Sequence, residues 1–174
     1  MGRKRLVTCA TIARGDYVDF KNCIKYLDFV NVMSYDMASP PKHHSALYHS
    51  AISGWMTTAQ AVRSHLEKGV PSDKLVVGMP FYGRGAKPYQ AYVKNPRALE
   101  GVTEKWSEES QVPYMEDGDG NMVLGFENKK SIAAKCHYII GNRLRGGMYW
   151  EYADDNEEGG LRSAVAECLM KKKK

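Results

Sequence analysis

No run of apolar residues in this 174-residue chain approaches the roughly 20 that a membrane-spanning helix requires, so no membrane segment is expected. The basic opening MGRKRLVTCATIA lacks a clear small-residue cleavage site, and its apolar part reads as a strand rather than as a signal peptide. There is no Cys-x-x-Cys pair. Cys9, Cys23, Cys136 and Cys168 are widely spaced, each at an apolar position of a segment read as strand or helix. Buried free thiols fit that pattern, and neither a disulfide framework nor a zinc site does. The redox compartment stays open. The chain also lacks a basic patch in its interior. Arg3, Lys4, Arg5 and Lys171 to Lys174 hold seven positive charges at the two ends, so the net +5 becomes −2 between them. Nucleic-acid binding needs basic residues clustered on a folded face and is not expected here.

Four short apolar runs are present: 6–13 (LVTCATIA), 29–35 (FVNVMSY), 75–82 (LVVGMPFY) and 146–150 (GGMYW). They are dense in β-branched and aromatic residues and bounded by turn-forming ones, which predicts strands buried on both faces. Helical stripes lie between and after them. Phe20, Cys23, Ile24 and Leu27 make the first, and Trp55, Ala59, Val62 and Leu66 the second, stopped by Gly69 and Pro71. Ile132, Cys136 and Ile139 make the third, and Leu161, Val165, Cys168 and Leu169 the fourth. Strand alternating with helix predicts an α/β fold with a parallel sheet.

One connection is too long. From Arg84 to Lys129 about 45 residues separate a strand from its helix, where about 2–6 is usual. The segment has turn signals of its own at Lys94-Asn95-Pro96, Val112-Pro113 and Asp117-Gly118-Asp119-Gly120. An inserted α+β lobe follows, with a β-hairpin closed by the acidic turn. Asp117, Asp119 and Asn121 match the first ligand positions of an EF-hand loop, but Met122 stands where its glycine belongs and Asn128 where its glutamate belongs. A plain hairpin turn is the reading adopted.

Parallel α/β sheets bind ligands at the C-terminal ends of their strands. Alternation puts Asn31, Met33 and Tyr35 on one face of the second strand, with Asp36 at its lip. Gly78, Pro80, Tyr82 and Arg84 line one face of the third. Gly146, Met148 and Trp150 line one face of the fourth, and Glu151 follows. Taken singly, Trp150 could be core, Asp36 a helix cap and Arg84 a surface charge. Together they describe a polar pocket with an aromatic floor, which suits a sugar. No metal or organic cofactor is implied: His43 and His44 are adjacent in a loop and lack a third ligand at usual spacing.

MSYD (33–36), GMPFYGR (78–84) and GGMYWEY (146–152), with Asp154 or Asp155 after it, resemble the sixth, seventh and eighth strands of family 18 glycoside hydrolases, the chitinases. The segment SIAAKCHYI (131–139) is similar to the helix after their seventh-strand insertion, and GGLRSAV (159–165) to their last helix. The resemblance covers almost the whole chain. It departs at Ser39, near where many members carry a glycine, and in one larger respect. The family's D-x-x-D-x-D-x-E motif, which carries the proton donor on the fourth strand, has no counterpart here. Without the insertion about 130 residues remain, against about 250 for a complete barrel.

The expected fold is therefore a partial TIM (β/α)8 barrel, strands 5–8 with their helices. Residues 1–84 and 129–174 would form the half-barrel and 85–128 the inserted lobe. The resemblance implies retaining, substrate-assisted hydrolysis of β-1,4-linked N-acetylglucosamine polymers. In it Tyr35 and Asp36 would act on the acetamido group, while Met33, Tyr82, Arg84, Met148, Trp150 and Glu151 would line the sugar subsites. The partners implied are chitin or a related oligosaccharide, and either an N-terminal half-barrel or a second copy of the chain. The chain alone is expected to be inactive. Alternatives are a non-catalytic chitin-binding relative and a structural half-barrel that dimerises; endo-N-acetylglucosaminidase and peptidoglycan-cleaving relatives are also weighed. The family resemblance suggests a secreted or periplasmic setting.

Overall fold

In a computed structural model of the chain, residues 5–85, 97 and 100–170 are described. The expected turn at Lys94-Asn95-Pro96 lies outside them. Two sheets are present among the described residues. The first is parallel and comprises β1 (Thr8–Ile12), β2 (Phe29–Met33), β3 (Leu75–Pro80) and β8 (Gly146–Trp150), in the order β1-β2-β3-β8. The second is antiparallel, in the order β4-β7-β6-β5, from β4 (Arg84–Gly85), β5 (Thr103–Ser107), β6 (Val112–Glu116) and β7 (Met122–Gly125).

The helices are α1 (Phe20–Cys23), α2 (Thr58–Glu67), α3 (Lys129–Gly141) and α4 (Gly160–Leu169). Their starts follow from side chains. Thr57 and Gln60 form a reciprocal capping box at α2, as Asn128 and Ser131 do at α3, and each satisfies amides that the first turn leaves free. Asp155 performs the same service for α4, accepting from the backbone N–H groups of Leu161 and Arg162 at 3.0 Å each.

One face of the parallel sheet is packed by helices. Val30, Val32, Leu75 and Val77 bury against Ala61 and Val62 of α2 and Ile139 of α3. Met79 and Phe81 bury against Ile132, Cys136, Leu161 and Val165. Burying side chains of this kind stabilises by about 1.5–3 kcal/mol each. Gly147 belongs to this face, where a Cβ would lie 2.5 Å from Met79 Cε, so a larger residue there would have to displace the Met79 side chain. The other face carries Asn31, Met33, Gly78 and Met148, and most of it is less buried.

Several expectations are corrected. Burial on both faces holds for β3, whose six residues are all buried, but not for β2, which alternates buried and half-buried residues, nor for the more exposed β1 and β8. Both β1 and β8 pair with a single strand among the described residues, so no further strand covers their outer edges there. The stripe from Phe20 to Leu27 forms only the short α1 and a tighter 3-10 turn at Ile24–Tyr26. In α2 the inward residues are Thr58, Ala61, Val62 and His65 rather than Ala59 and Leu66; Trp55 precedes the helix and is exposed. His65 takes the core position because both ring nitrogens find partners, Thr11 Oγ1 at 2.8 Å and the Ala61 carbonyl at 2.8 Å. All four cysteines are free, but only Cys136 is fully buried. Arg84 lies beyond the end of β3, on β4.

The hairpin between β6 and β7 is present as expected. Asp117 Oδ1 accepts from the backbone N–H groups of Asp119 at 3.0 Å and Asn121 at 2.8 Å, and Gly120 supplies a positive φ of 83°. The acidic residues there build the turn.

Candidate functional site

The C-terminal ends of β2 and β3 converge on Asp36. Ser34 Oγ donates to the Gly78 carbonyl at 2.8 Å and ties the two strand ends together. Tyr35 then turns into the less buried face, where Gly78 makes room for it. A Cβ at position 78 would sit 2.8 Å from Tyr35 Cε1 and 3.0 Å from Met148 Cε, so Tyr35 and Met148 meet over this glycine. Asp36 has a φ of 61°, a left-handed conformation that aspartate tolerates better than most residues.

The Asp36 carboxylate collects the surrounding donors. Tyr82 Oη donates to its Oδ1 at 2.6 Å, Arg84 Nε at 2.8 Å, and Arg84 Nη2 stands 2.8 Å from the same oxygen. The Tyr35 ring meets the Tyr82 ring edge-on at 6.1 Å. Partial burial of the carboxyl pushes its pKa up, yet the contacts with His44, Arg84 and Tyr82 outweigh it and hold Asp36 well below the usual carboxylate range. Asp36 is therefore an anion at any ordinary pH. Burial, and then the Asp36 charge, raise the Tyr35 phenol to about 12. Burial and the bond to Asp36 raise Tyr82 as well. Both phenols keep their protons and remain donors. The site pairs a fixed negative charge with one cation, Arg84, and with neutral phenol donors around it.

Trp150 belongs to the same end of the sheet through register, since it pairs with Pro80 just as Met148 pairs with Gly78. The residue is 57% exposed, and a cis peptide joins it to Glu151, which is also exposed. Met33, at the end of β2, is half-buried. The structure thus brings Tyr35, Asp36, Tyr82, Arg84 and Met148 into one cluster. It leaves Trp150 and Glu151 open at its rim.

Two features escaped the sequence reading. His43 and His44, read as loop residues, are fully buried. His43 Nε2 lies 2.9 Å from the Pro113 carbonyl and 3.1 Å from that of Phe126, joining the loop to the second sheet. Beside them Ser45 Oγ donates to Glu127 Oε1 at 2.5 Å, and Lys135 Nζ pairs with that same oxygen in a fully buried contact. The lysine had a signal: it sits three residues from Ile132 and four from Ile139, on the apolar stripe of α3. The histidines had none, because no periodicity runs through their loop.

Residues 2–155 match the profile described as glycosyl hydrolases family 18. The chain belongs to that family. Chitinase 63 of Streptomyces plicatus is 28% identical over 94% of this chain and 32% of its own length. Chitinase ChiW from Paenibacillus sp. str. FPU-7 superposes with a TM-score of 0.84 at 29% identity, covering 96% of this chain and 23% of its own. The family 18 N-acetylglucosaminidase from Paenibacillus barengoltzii gives 0.83 at 25% identity, over 96% of this chain and 57% of its own. The chain therefore spans about a third of the length of the first curated relative it matches. Its α/β fold is that of the chitinase TIM barrels of family 18.

Proposed function

We propose that this family 18 chain supplies one side of the sugar-binding cleft of a chitinase-type glycoside hydrolase acting on β-1,4-linked N-acetylglucosamine polymers. The observation that carries this reading is the Asp36 carboxylate, held ionised by Tyr82 and Arg84 beside the protonated phenol of Tyr35. In a substrate-assisted reaction the acetamido oxygen attacks the anomeric carbon and positive charge develops on the sugar. Tyr35 would donate to the acetamido group and hold it for attack. Asp36 would bond the same group and stabilise the charge. Such contacts strengthen as the transition state forms. Trp150 would form the floor under that sugar, Met33 and Met148 would shape the pocket, and Tyr82, Arg84 and Glu151 would meet neighbouring groups.

No D-x-x-D-x-D-x-E stretch occurs in the sequence of this chain, so the glutamic acid that protonates the leaving oxygen would come from another segment. We take residues 1–84 and 129–174 as strands 5–8 of the barrel with their helices, and 85–128 as the inserted lobe. The open sides of β1 and β8 would pair with a complementary half-barrel or, failing that, a second copy. Leaving-group protonation contributes about 10²–10⁴ in rate, so the 174 residues alone should not turn over substrate.

A fluorogenic chitobiose substrate tests both parts. The expected result is no turnover by the chain alone and turnover once a segment bearing the acidic motif completes the barrel. In the completed barrel Asp36→Asn should lower kcat far more than it weakens binding, and Trp150→Ala should weaken oligosaccharide binding by about 2–4 kcal/mol in calorimetry. Hydrolysis by the chain alone at the rate of a full-length relative would overturn the proposal. The absent acidic motif also favours a second reading, a chitin-binding protein without catalysis; binding with no turnover in the completed barrel would select it.

A further inference from the structure

His43 and His44 are neighbours in sequence, both fully buried, and their rings stack 5.5 Å apart. They face opposite kinds of partner. His43 Nε2 points at two carbonyls, of Pro113 and Phe126, while its Nδ1 lies 3.1 Å from the Ser45 backbone N–H. Carbonyls only accept and the amide only donates, so the proton of a neutral His43 is on Nε2. His44 turns the other edge to the site. Its Nδ1 is 3.8 Å from Asp36 Oδ1, and neither of its ring nitrogens has a hydrogen-bond partner among the described residues. A buried polar group without a partner is costly and uncommon, and one aimed at a carboxylate calls for a reason.

We infer that His44 is a positioning residue for Asp36, fixed as the Nδ1–H tautomer, opposite to its neighbour, with that N–H held for the Asp36 carboxylate. The 3.8 Å separation exceeds a hydrogen bond by about 0.8 Å, and Tyr82 and Arg84 hold the same oxygen, so the His44 N–H acts on it as a close dipole rather than as a formed hydrogen bond. The backbone keeps the two groups in range, because the Met37 N–H donates to the His44 carbonyl at 2.9 Å. The groups facing His44 are Asp36, His43, Tyr82, Glu127 and Lys135; those facing Asp36 are Tyr35, His44, Tyr82 and Arg84. Burial keeps the His44 imidazole below its ordinary pKa despite the pull of Asp36 and Glu127, so it is neutral at pH 7. A neutral donor has a specific use here. It orients Asp36 and keeps it ionised without adding a positive charge beside a sugar that is itself becoming positive. That use rests on the function proposed above; the tautomer and the effect on Asp36 do not.

Long-range ¹⁵N–¹H spectra of the histidine rings in the unmutated protein at pH 7 give the first test. The expected result is an Nε2–H signature for His43 and an Nδ1–H signature for His44. A ¹³C titration of the Asp36 carboxyl gives the second. His44→Leu, which removes the donor, should lower its acid constant threefold or more, and His44→Asn, which can keep one, should lower it less. An Nε2–H tautomer at His44, or an Asp36 titration unchanged in His44→Leu, overturns the inference. Should His44→Leu fail to fold, the tautomer in the unmutated protein decides. If Asp36→Asn leaves turnover intact in the completed barrel, the functional reading fails while the His44 result stands, so the two failures are separable.

Discussion

Two polar clusters meet at the loop that runs from Asp36 to Ser45, and they are built on opposite terms. Around Glu127 every group is buried: Lys135 and Ser45 bond to it, His44 lies within reach of its charge, and water reaches almost none of them. Around Asp36 the charges are half-exposed, with both the carboxylate and Arg84 open to solvent. The first cluster joins α3, the loop and the second sheet, and so serves the fold. The second gathers donors on one accessible anion and is free to meet a ligand. Burial decides which kind of work a charge can do. In the interior, removing one partner leaves a desolvated charge unpaired, whereas at the surface solvent takes the partner's place.

The sharpest way to break this contrast is Lys135→Ala. It strands the Glu127 carboxylate and should cost about 3–5 kcal/mol in urea unfolding. Replacing both partners, as Lys135→Met with Glu127→Leu, should restore much of the loss, because the buried pair gains little over packed apolar groups. A loss under about 1 kcal/mol for Lys135→Ala would place the pair in solvent and remove the distinction between the clusters.

A pH series probes the buried side next. Burial lowers the pKa values of His43, His44 and His65 below the ordinary imidazole value. In the window below about 6.5 the unfolded chain binds protons that the folded chain refuses, so stability is full above that pH and falls as pH drops toward the folded-state values. Asp36 does not contribute there, since its own window lies below the ordinary carboxylate range. Urea midpoints should therefore decline from pH 7 to pH 5, and His43→Gln should shrink the decline. A flat profile over that interval would show that the imidazoles are reached by solvent.

The smallest effect is expected on the exposed side. Arg84→Ala removes a half-exposed pair and should change stability by no more than about 1 kcal/mol. The same change should raise the Asp36 pKa, because Arg84 is among the groups that lower it. A stability loss as large as that of Lys135→Ala would mean that the site cluster is a structural one.

Much of this molecule is determined by sequence alone, wherever a periodic pattern acts over neighbouring residues. The four parallel strands, the α3 and α4 stripes and the acidic hairpin turn all follow from side-chain period and turn chemistry, which are local. The convergence of Tyr35 and Asp36 with Tyr82 was legible too, because strand alternation and the rule about strand ends place them without any distant contact. Tertiary structure alone decided the rest. His65 rather than Leu66 faces the core because Thr11, far away in sequence, offers it a partner. Arg84 reaches Asp36 from a separate short strand whose own partner is β7. His43 and His44 become buried only when Pro113, Phe126 and Tyr82 close over their loop. Period records which way a side chain points along its own element. It carries no trace of a hydrogen bond or a desolvated charge whose other half arrives from elsewhere in the chain.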